Sequence, residues 1–142
     1  MSAIRDAIVL TLQSDPDLTD LVTGIYPNQR PEKPTETDFP FIVVMAQRAP
    51  MPERVFRGGG TNASTIAFER ATYQVRVCDL STAPNTADDI AAAIRTALDG
   101  ATLTIDGYTS LNCEWKGDLD MSEVYDGQIH QYRGGFYEVW AA

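Results

Sequence analysis

The sequence predicts an α+β fold, in which a mostly antiparallel β-sheet carries an N-terminal helix and a second helix, at about residues 86–99, on one face. Three observations predict it. Two segments place apolar residues at helical spacing. Other segments alternate in polarity or run continuously apolar, as strands do. The pair Asp106-Gly107 stands between two such segments, as in a β-hairpin.

The N-terminal helix is predicted over residues 2–13. Its apolar stripe is formed by Ile4, Ile8 and Leu12. The following Asp15-Pro16 pair suits the N-cap and the first position of a second, short helical turn. We therefore expect the chain to begin with two consecutive helical segments.

Two strands joined by a long exposed loop are predicted next. Residues 41–46 are continuously apolar, which is typical of a strand buried on both faces. Residues 71–79 alternate in polarity and indicate an antiparallel strand with one wet side. Residues 49–64 contain two prolines and three consecutive glycines, so we expect a long loop there.

The second helix and a final group of strands complete the predicted fold. Ile90, Ile94 and Leu98 form a helical stripe that Gly100 ends. We expect a type I′ turn at Asp106-Gly107, an exposed acidic loop at 116–126, and a last strand at 128–140. The Gly134-Gly135 pair predicts a bulge in that strand.

Length and composition restrict the class of protein. The chain has 142 residues, of which 44% are hydrophobic and 22% charged. These values predict a single globular domain over residues 1–142, whose core needs neither disulfide nor metal. No stretch approaches the roughly 20 apolar residues that span a bilayer, so we expect no contact with membranes. The start of the chain lacks the apolar region of a secretory signal.

Charge is unevenly distributed. The formal net charge is −9, yet residues 48–70 carry Arg48, Arg54, Arg57 and Arg70 against two glutamates. Nucleic-acid binding relies on basic groups that neutralise phosphates, so we expect no specific binding to DNA. These arginines are either ordinary loop residues or a loop that docks on an acidic neighbour, such as the next copy of the chain.

Chemical motifs are weak throughout. His130 is the only histidine, and neither a nucleophile elbow nor a complete phosphate-binding loop is present. A calcium-loop pattern that begins at Asp118 fails at Glu123 and Ile129. Cys78 and Cys113 have no paired zinc spacing. We therefore expect no catalytic residue, no cofactor and no metal, which favours a structural or interaction protein over an enzyme.

A series of short patches, in a fixed order along the chain, carries a family resemblance. They are Ile4–Leu10, Asp15–Leu18, Gly24–Pro27, Phe39–Val44, Tyr73–Val77, Ala87–Gly100 and Tyr132–Trp140. In their order and spacing they resemble the tail-completion, or tail-terminator, proteins of long-tailed bacteriophages and related phage-like particles.

The resemblance implies a structural virion protein of the tail and neck region, assembled in the cytoplasm of a host bacterium. Such proteins form a hexameric ring that caps the tail tube, ends its polymerisation and offers a joining surface to the head connector or stopper protein. DNA passes through the ring without specific binding. Two alternatives stay open, namely another head–tail joining or tail-tube protein, and a small ligand-binding domain or enzyme.

A ring of identical copies needs two different surface patches that meet, because its interface is heterologous. The charge distribution suggests one such pair. We expect Arg54 and Arg57 of one copy to contact either Asp118, Asp120 and Glu123 or the acidic N-terminal third of its neighbour.

Overall fold

The computed structural model describes residues 2–28, 38–56, 64–80, 84–125 and 127–142. The helices are α1 (Ser2–Gln13), α2 (Pro16–Thr19) and α3 (Pro84–Leu98). The strands are β1 (Ile25–Pro27), β2 (Phe41–Phe56), β3 (Ser64–Leu80), β4 (Thr104–Ile105), β5 (Tyr108–Tyr125) and β6 (Gln128–Ala141). None of the helices in these ranges is both long and apolar enough to cross a membrane.

The strands form one sheet in the order β1-β2-β3-β6-β5-β4. All neighbours pair antiparallel except β1 and β2, which pair parallel with Ile25 opposite Ile42. The sheet is therefore mixed, and the prediction of an antiparallel sheet is confirmed only in part. Residues 28–40 connect the two parallel strands, and a parallel pair needs a connection of about a dozen residues.

Helix α1 begins and ends where the sequence predicts. Its stripe of Ile4, Ile8 and Leu12 is fully buried. The Asp15 side chain then caps α2 by accepting a hydrogen bond from the Asp17 backbone N–H at 3.0 Å. Local sequence chemistry therefore determines the start of α2.

Helix α3 starts two residues before the predicted boundary of 86 and buries Ile90, Ile94 and Leu98 completely. Gly100 follows it with a φ of +78°, the left-handed conformation that suits glycine after a helix. Helices α1, α2 and α3 share one apolar cluster with the sheet, so they cover the same face of it.

The opposite face of the sheet has its own smaller apolar cluster. Its buried members are Phe41, Val43, Cys78, Leu119 and Tyr132. Phe41 and Val43 lie on this face while Ile42 and Val44 lie on the helix side. The continuously apolar β2 is thus buried on both faces, as its sequence predicts.

The hairpin between β4 and β5 turns at Asp106-Gly107, as predicted, with Ile105 opposite Tyr108. Only Gly107 of the pair has a positive φ, at +79°. A type I′ turn needs a positive φ at both central residues. The predicted position of the turn is confirmed, and its predicted type is wrong.

The predicted acidic loop at 116–126 is wrong, because β5 continues to Tyr125 and pairs with β6 along this stretch. The reason is the alternation of side chains. Leu119 is buried, whereas its neighbours Asp118 and Asp120 are exposed on the other face. An acidic segment therefore forms a strand when its charges lie on the wet side.

The predicted loop at 49–64 is also shorter than expected. Strand β2 runs to Phe56 and β3 starts at Ser64, so only residues 57–63, which lie outside the described ranges, separate them. The β2–β3 pairing continues past Glu69, where the pairing of β3 with β6 ends. We call this two-stranded extension, residues 53–56 and 64–68, the arm.

The Gly134-Gly135 pair does not form the predicted bulge, because β6 pairs with β3 without interruption there. Gly134 instead allows close backbone approach. Its φ is +145°, and an added Cβ would lie 2.0 Å from the Val75 carbonyl oxygen. The nearest irregularities are in β5, and one of them lies between Trp115 and Gly117.

Candidate functional site

The predicted acidic contact residues lie on β5 and are exposed. Asp118 and Asp120 both line a cleft on the helix side of the sheet. Glu123 lines a different pocket, together with Tyr132 of the opposite apolar cluster. The structure therefore brings two of the three acidic residues together and separates the third.

Alternation along β5 causes this separation, because Asp118 and Asp120 share one face and Glu123, an odd number of residues away, lies on the other. The irregularity between Trp115 and Gly117 determines which of the two faces each residue occupies. Before it, Cys113 and Trp115 pack on the helix side. After it, Leu119 packs on the opposite side. In a regular strand Leu119 would share the face of Cys113 and Trp115, because it is an even number of residues away from both. One extra residue in a strand reverses the face of every residue that follows. The sequence pattern of charges does not reveal this extra residue.

The cleft has a volume of about 290 Å³ and lies between α3 and strands β5 and β6. Its charged lining residues are of both signs: Asp88, Arg95, Asp118, Asp120 and Arg133. Because carboxylates outnumber guanidinium groups here, a basic side chain from a partner is favoured over an acidic one.

Arg133 on β6 connects the walls of the cleft. Its guanidinium lies 3.3 Å from a carboxylate oxygen of Asp88 on α3 and 3.0 Å from one of Asp120 on β5. The same guanidinium donates to the Met121 carbonyl at 3.1 Å. Asp120 is thus already paired with Arg133 of the same chain. Asp118, in contrast, forms no ion pair among the described residues.

Arg95 forms the other wall, with its guanidinium 3.7 Å from the ring centroid of Trp115. This cation–π contact holds the end of α3 on the sheet. Sequence reasoning missed both Arg95 and Arg133. Asp88 and Arg95 are seven residues apart on one helix face, which was the available signal, but the partner strand could not be identified from it.

Glu123 belongs to the pocket on the opposite face, which has a volume of about 330 Å³. Its carboxylate accepts a hydrogen bond from the Tyr132 hydroxyl. The Arg76 guanidinium lies over the Tyr132 ring, 4.6 Å from its centroid. The carboxylate of Glu123 therefore helps to hold the tyrosine that packs this face.

Buried ionisable groups lie between the helices and the sheet. Burial raises the pKa of the Cys113 thiol to about 12, and the nearby Asp99 carboxylate contributes. Burial likewise raises the pKa of Tyr73 to about 12 and raises that of Tyr137. These groups are protonated at neutral pH, so the thiol is not poised as a nucleophile.

Of the two predicted basic contact residues, the structure describes the backbone of Arg54 alone. Arg54 is in the arm, and its backbone pairs with that of Ile66. Arg57 lies outside the described residues. In the part of the chain that the structure describes, no three His, Cys, Asp or Glu residues are grouped so as to hold a metal ion.

Comparisons with known proteins identify relatives by fold. A chain from a solved structure titled "Virion of native gene transfer agent (GTA) particle" superposes with a TM-score of 0.72 at 18% identity, over 99% of this chain and 96% of that one. A second solved chain gives a TM-score of 0.52 at 12% identity, over 97% and 91%. A comparison with curated protein sequences found no significant match.

A family model provides the assignment. The model described as "Tail completion protein gp17" matches residues 6–132. This match spans α1 to α3 and most of the sheet, and it bears out the family resemblance of the sequence. The family is one of structural phage tail proteins. The chain therefore belongs to the Tail completion protein gp17 family.

Proposed function

We propose that the protein forms a hexameric ring that caps the tail tube, ends its polymerisation and presents the joining surface for the head connector. The family match over residues 6–132 carries this proposal. The ring belongs to the neck of the virion and is assembled in the cytoplasm of a host bacterium. DNA passes through it without specific binding, in agreement with the net charge of −9.

The ring requires two different patches on each copy. The acidic stretch of β5 and the arm are suitable, because they lie in different parts of the sheet and differ in charge. Asp118, which forms no described ion pair, is the main acidic partner that we propose for Arg54 and Arg57. Asp120 supports it, although Arg133 already neutralises part of its charge. Glu123 contributes less, since it lines the pocket on the other face.

Deletion of the gene tests the proposed function. We expect negative-stain electron microscopy to show filled heads beside separate, abnormally long tubes, because both termination and joining fail. Wild-type protein supplied in trans restores joined particles. Heads without any tubes would instead identify a tube protein or a factor that initiates the tube. Normal particles would exclude both tail roles.

Charge reversal tests the contact. We expect the double variant Arg54→Glu and Arg57→Glu to reduce the proportion of heads joined to tails, because it places like charges opposite Asp118. Arg30→Glu with Lys33→Glu is the control, since it changes net charge by the same amount. Equal loss in both variants would indicate general repulsion. Normal joining in the first variant would exclude the contact.

A further inference from the structure

The outer edge of β5 is open along half of its length. Strand β4 pairs only with Tyr108 and Thr109, and no other described strand pairs on that side. Next to α3 the edge has partners: Gly100 N–H donates to the Cys113 carbonyl at 2.7 Å, and Trp115 N–H donates to Asp99 at 3.1 Å. From Gly117 to Tyr125 no described strand covers the edge.

The chirality of the strand identifies which amides point outward. In a strand of L-residues, side chains on one face go with backbone N–H and C=O groups on one edge. Cys113 and Trp115 face the helices and direct their backbone groups outward. Asp118 and Asp120 also face the helices. These residues, and Ser122 two positions further, therefore present at the edge backbone groups that no described strand pairs.

An open edge of this length is a template for strand addition by another chain. Prolines, which would block it, are absent from residues 117–125. Its charges are all acidic, which disfavours pairing with a second acidic edge and favours a strand that arrives with basic groups. The edge can therefore accept an added strand, and its charges favour a basic one.

The arm has the complementary character. The pairing with β6 ends at Glu69, so residues 64–68, the β3 side of the arm, pair with β2 on one edge and with no described strand on the other. A two-stranded ribbon without further support is marginally stable. Residues 64–68 contain no proline, whereas Pro52 precedes the β2 side, and Arg54 and Arg57 make residues 53–68 net basic.

We propose that the β3 side of the arm of one copy adds as a strand to the β5 edge, residues 117–125, of the next copy. The sheets of successive copies then continue into one another around the ring. This inference rests on the proposed function, because a closed ring is what repeats the contact. It also gives the charge pair a geometry, in which Asp118 lies beside the basic arm.

Disulfide trapping in assembled particles tests the pairing. Ser122→Cys is combined in turn with a cysteine at each position from Ser64 to Phe68, and mildly oxidised particles are separated without reductant. The native Cys78 and Cys113 are buried and do not interfere. We expect a ladder of linked copies up to the hexamer at the one arm position that lies opposite Ser122, because a disulfide joins Cα atoms about 4.4–6.8 Å apart and each residue adds about 3.3 Å along the strand. Ser122→Cys alone is the control and gives no ladder.

The outcomes separate the two proposals. Joined particles that contain the protein but give no ladder, or a ladder at consecutive arm positions, would overturn strand addition and leave the ring intact. Absence of the protein from joined particles would overturn the proposed function itself.

A proline provides independent evidence. Ser122→Pro removes an outward N–H, whereas Ser122→Ala removes only the hydroxyl. We expect loss of head–tail joining in the first variant and wild-type joining in the second, with circular dichroism to verify that both are folded. A folded proline variant that joins heads normally would exclude the pairing, and an unfolded one leaves the decision to the cross-links.

Discussion

At Gly134 the backbones of β3 and β6 approach so closely that no side chain fits. An added Cβ would lie 2.0 Å from the Val75 carbonyl, and the φ of +145° is unfavourable for any other residue. We expect Gly134→Ala to lower the free energy of unfolding by about 2–5 kcal/mol, from overpacking and backbone strain. Urea unfolding measures it.

Gly117→Ala is the matched control, because an added Cβ there meets nothing within 4 Å and no positive φ is present. We expect a change within about 0.5 kcal/mol for it. Equal stability of the two variants would contradict the close approach of β3 and β6.

The side chain of Arg133 on β6 connects its own strand to α3 and β5 through two ion pairs. Replacing it with methionine leaves Asp88 and Asp120 without their shared cation. We expect a loss of about 1–3 kcal/mol in unfolding free energy, because the Arg133 side chain is only 18% exposed. Lys116→Met is the control. Its side chain is 43% exposed and forms two ion pairs, with Glu114 at 3.2 Å and with Glu138 at 3.9 Å, so a loss below about 1 kcal/mol is expected. A larger loss for Lys116 would contradict this role.

Residue-scale features differ in how far the sequence reveals them. The Asp15 cap and the Gly100 stop act on their own helices, so the local sequence was sufficient to predict them. The partners of Arg133 are far away in the chain, and the sheet topology brings them together. The cleft could therefore not be identified from the sequence, and the contact predicted for its residues Asp118 and Asp120 stays a prediction.

At the scale of elements, the extra residue between Trp115 and Gly117 in β5 determines which groups line the cleft. Deletion of Lys116 would make Trp115 and Gly117 consecutive, as their partners Tyr137 and Phe136 already are, so Asp118 and Leu119 would keep their present faces. We expect the unfolding free energy to change by less than about 1 kcal/mol, because no buried side chain changes its face and only exposed ion pairs of Lys116 are lost. Thermal unfolding measures it.

Lys116→Ala keeps the extra residue and controls for loss of the lysine side chain. We expect it to unfold close to the wild-type temperature. A deletion variant less stable than Lys116→Ala by more than about 2 kcal/mol would contradict this role of the extra residue, since it would mean that Leu119 had left its apolar cluster.

The helices were the more predictable elements because their signal is contained in one segment. Ile4, Ile8 and Leu12 form a stripe whatever the partner is. Strands depend on a partner, which explains why the acidic part of β5 and the proline-containing part of β2 were both taken for loops. Neither segment has a decisive pattern until β6 and β3 lie beside it.

At the scale of the whole molecule, one sheet connects two apolar layers of unequal size. The sequence indicated the layer beneath the helices, since its residues recur at helical and strand spacings. It indicated the second layer only at β2, whose continuous apolar run predicts burial on both faces, and not at the members from β3, β5 and β6. For the ring interface, the sequence indicated only that two segments differ in charge, the basic residues 48–70 and the acidic residues 116–126.

Alkaline pH tests the burial of the larger layer. The ordinary pKa is 9.0 for Cys113 and 10.0 for Tyr73, and burial raises both to about 12 in the folded protein. Burial also raises the pKa of Tyr137. The folded protein thus binds these protons more tightly than the unfolded chain does. The associated stability is fully present below about pH 9 and is lost as pH rises from there towards 12.

We therefore expect the free energy of unfolding, measured in urea, to change little between pH 8 and 9 and to fall steadily between pH 9 and 11. Cys113→Ala and Tyr137→Phe each remove one ionisation, so each variant should lose stability with pH less steeply, by up to about 1.4 kcal/mol per pH unit. Val139→Ala is the control, because it weakens the same fully buried layer without an ionisable group. It should be less stable at every pH, with the wild-type slope. A wild-type protein equally stable at pH 8 and pH 11 would contradict the burial of these groups.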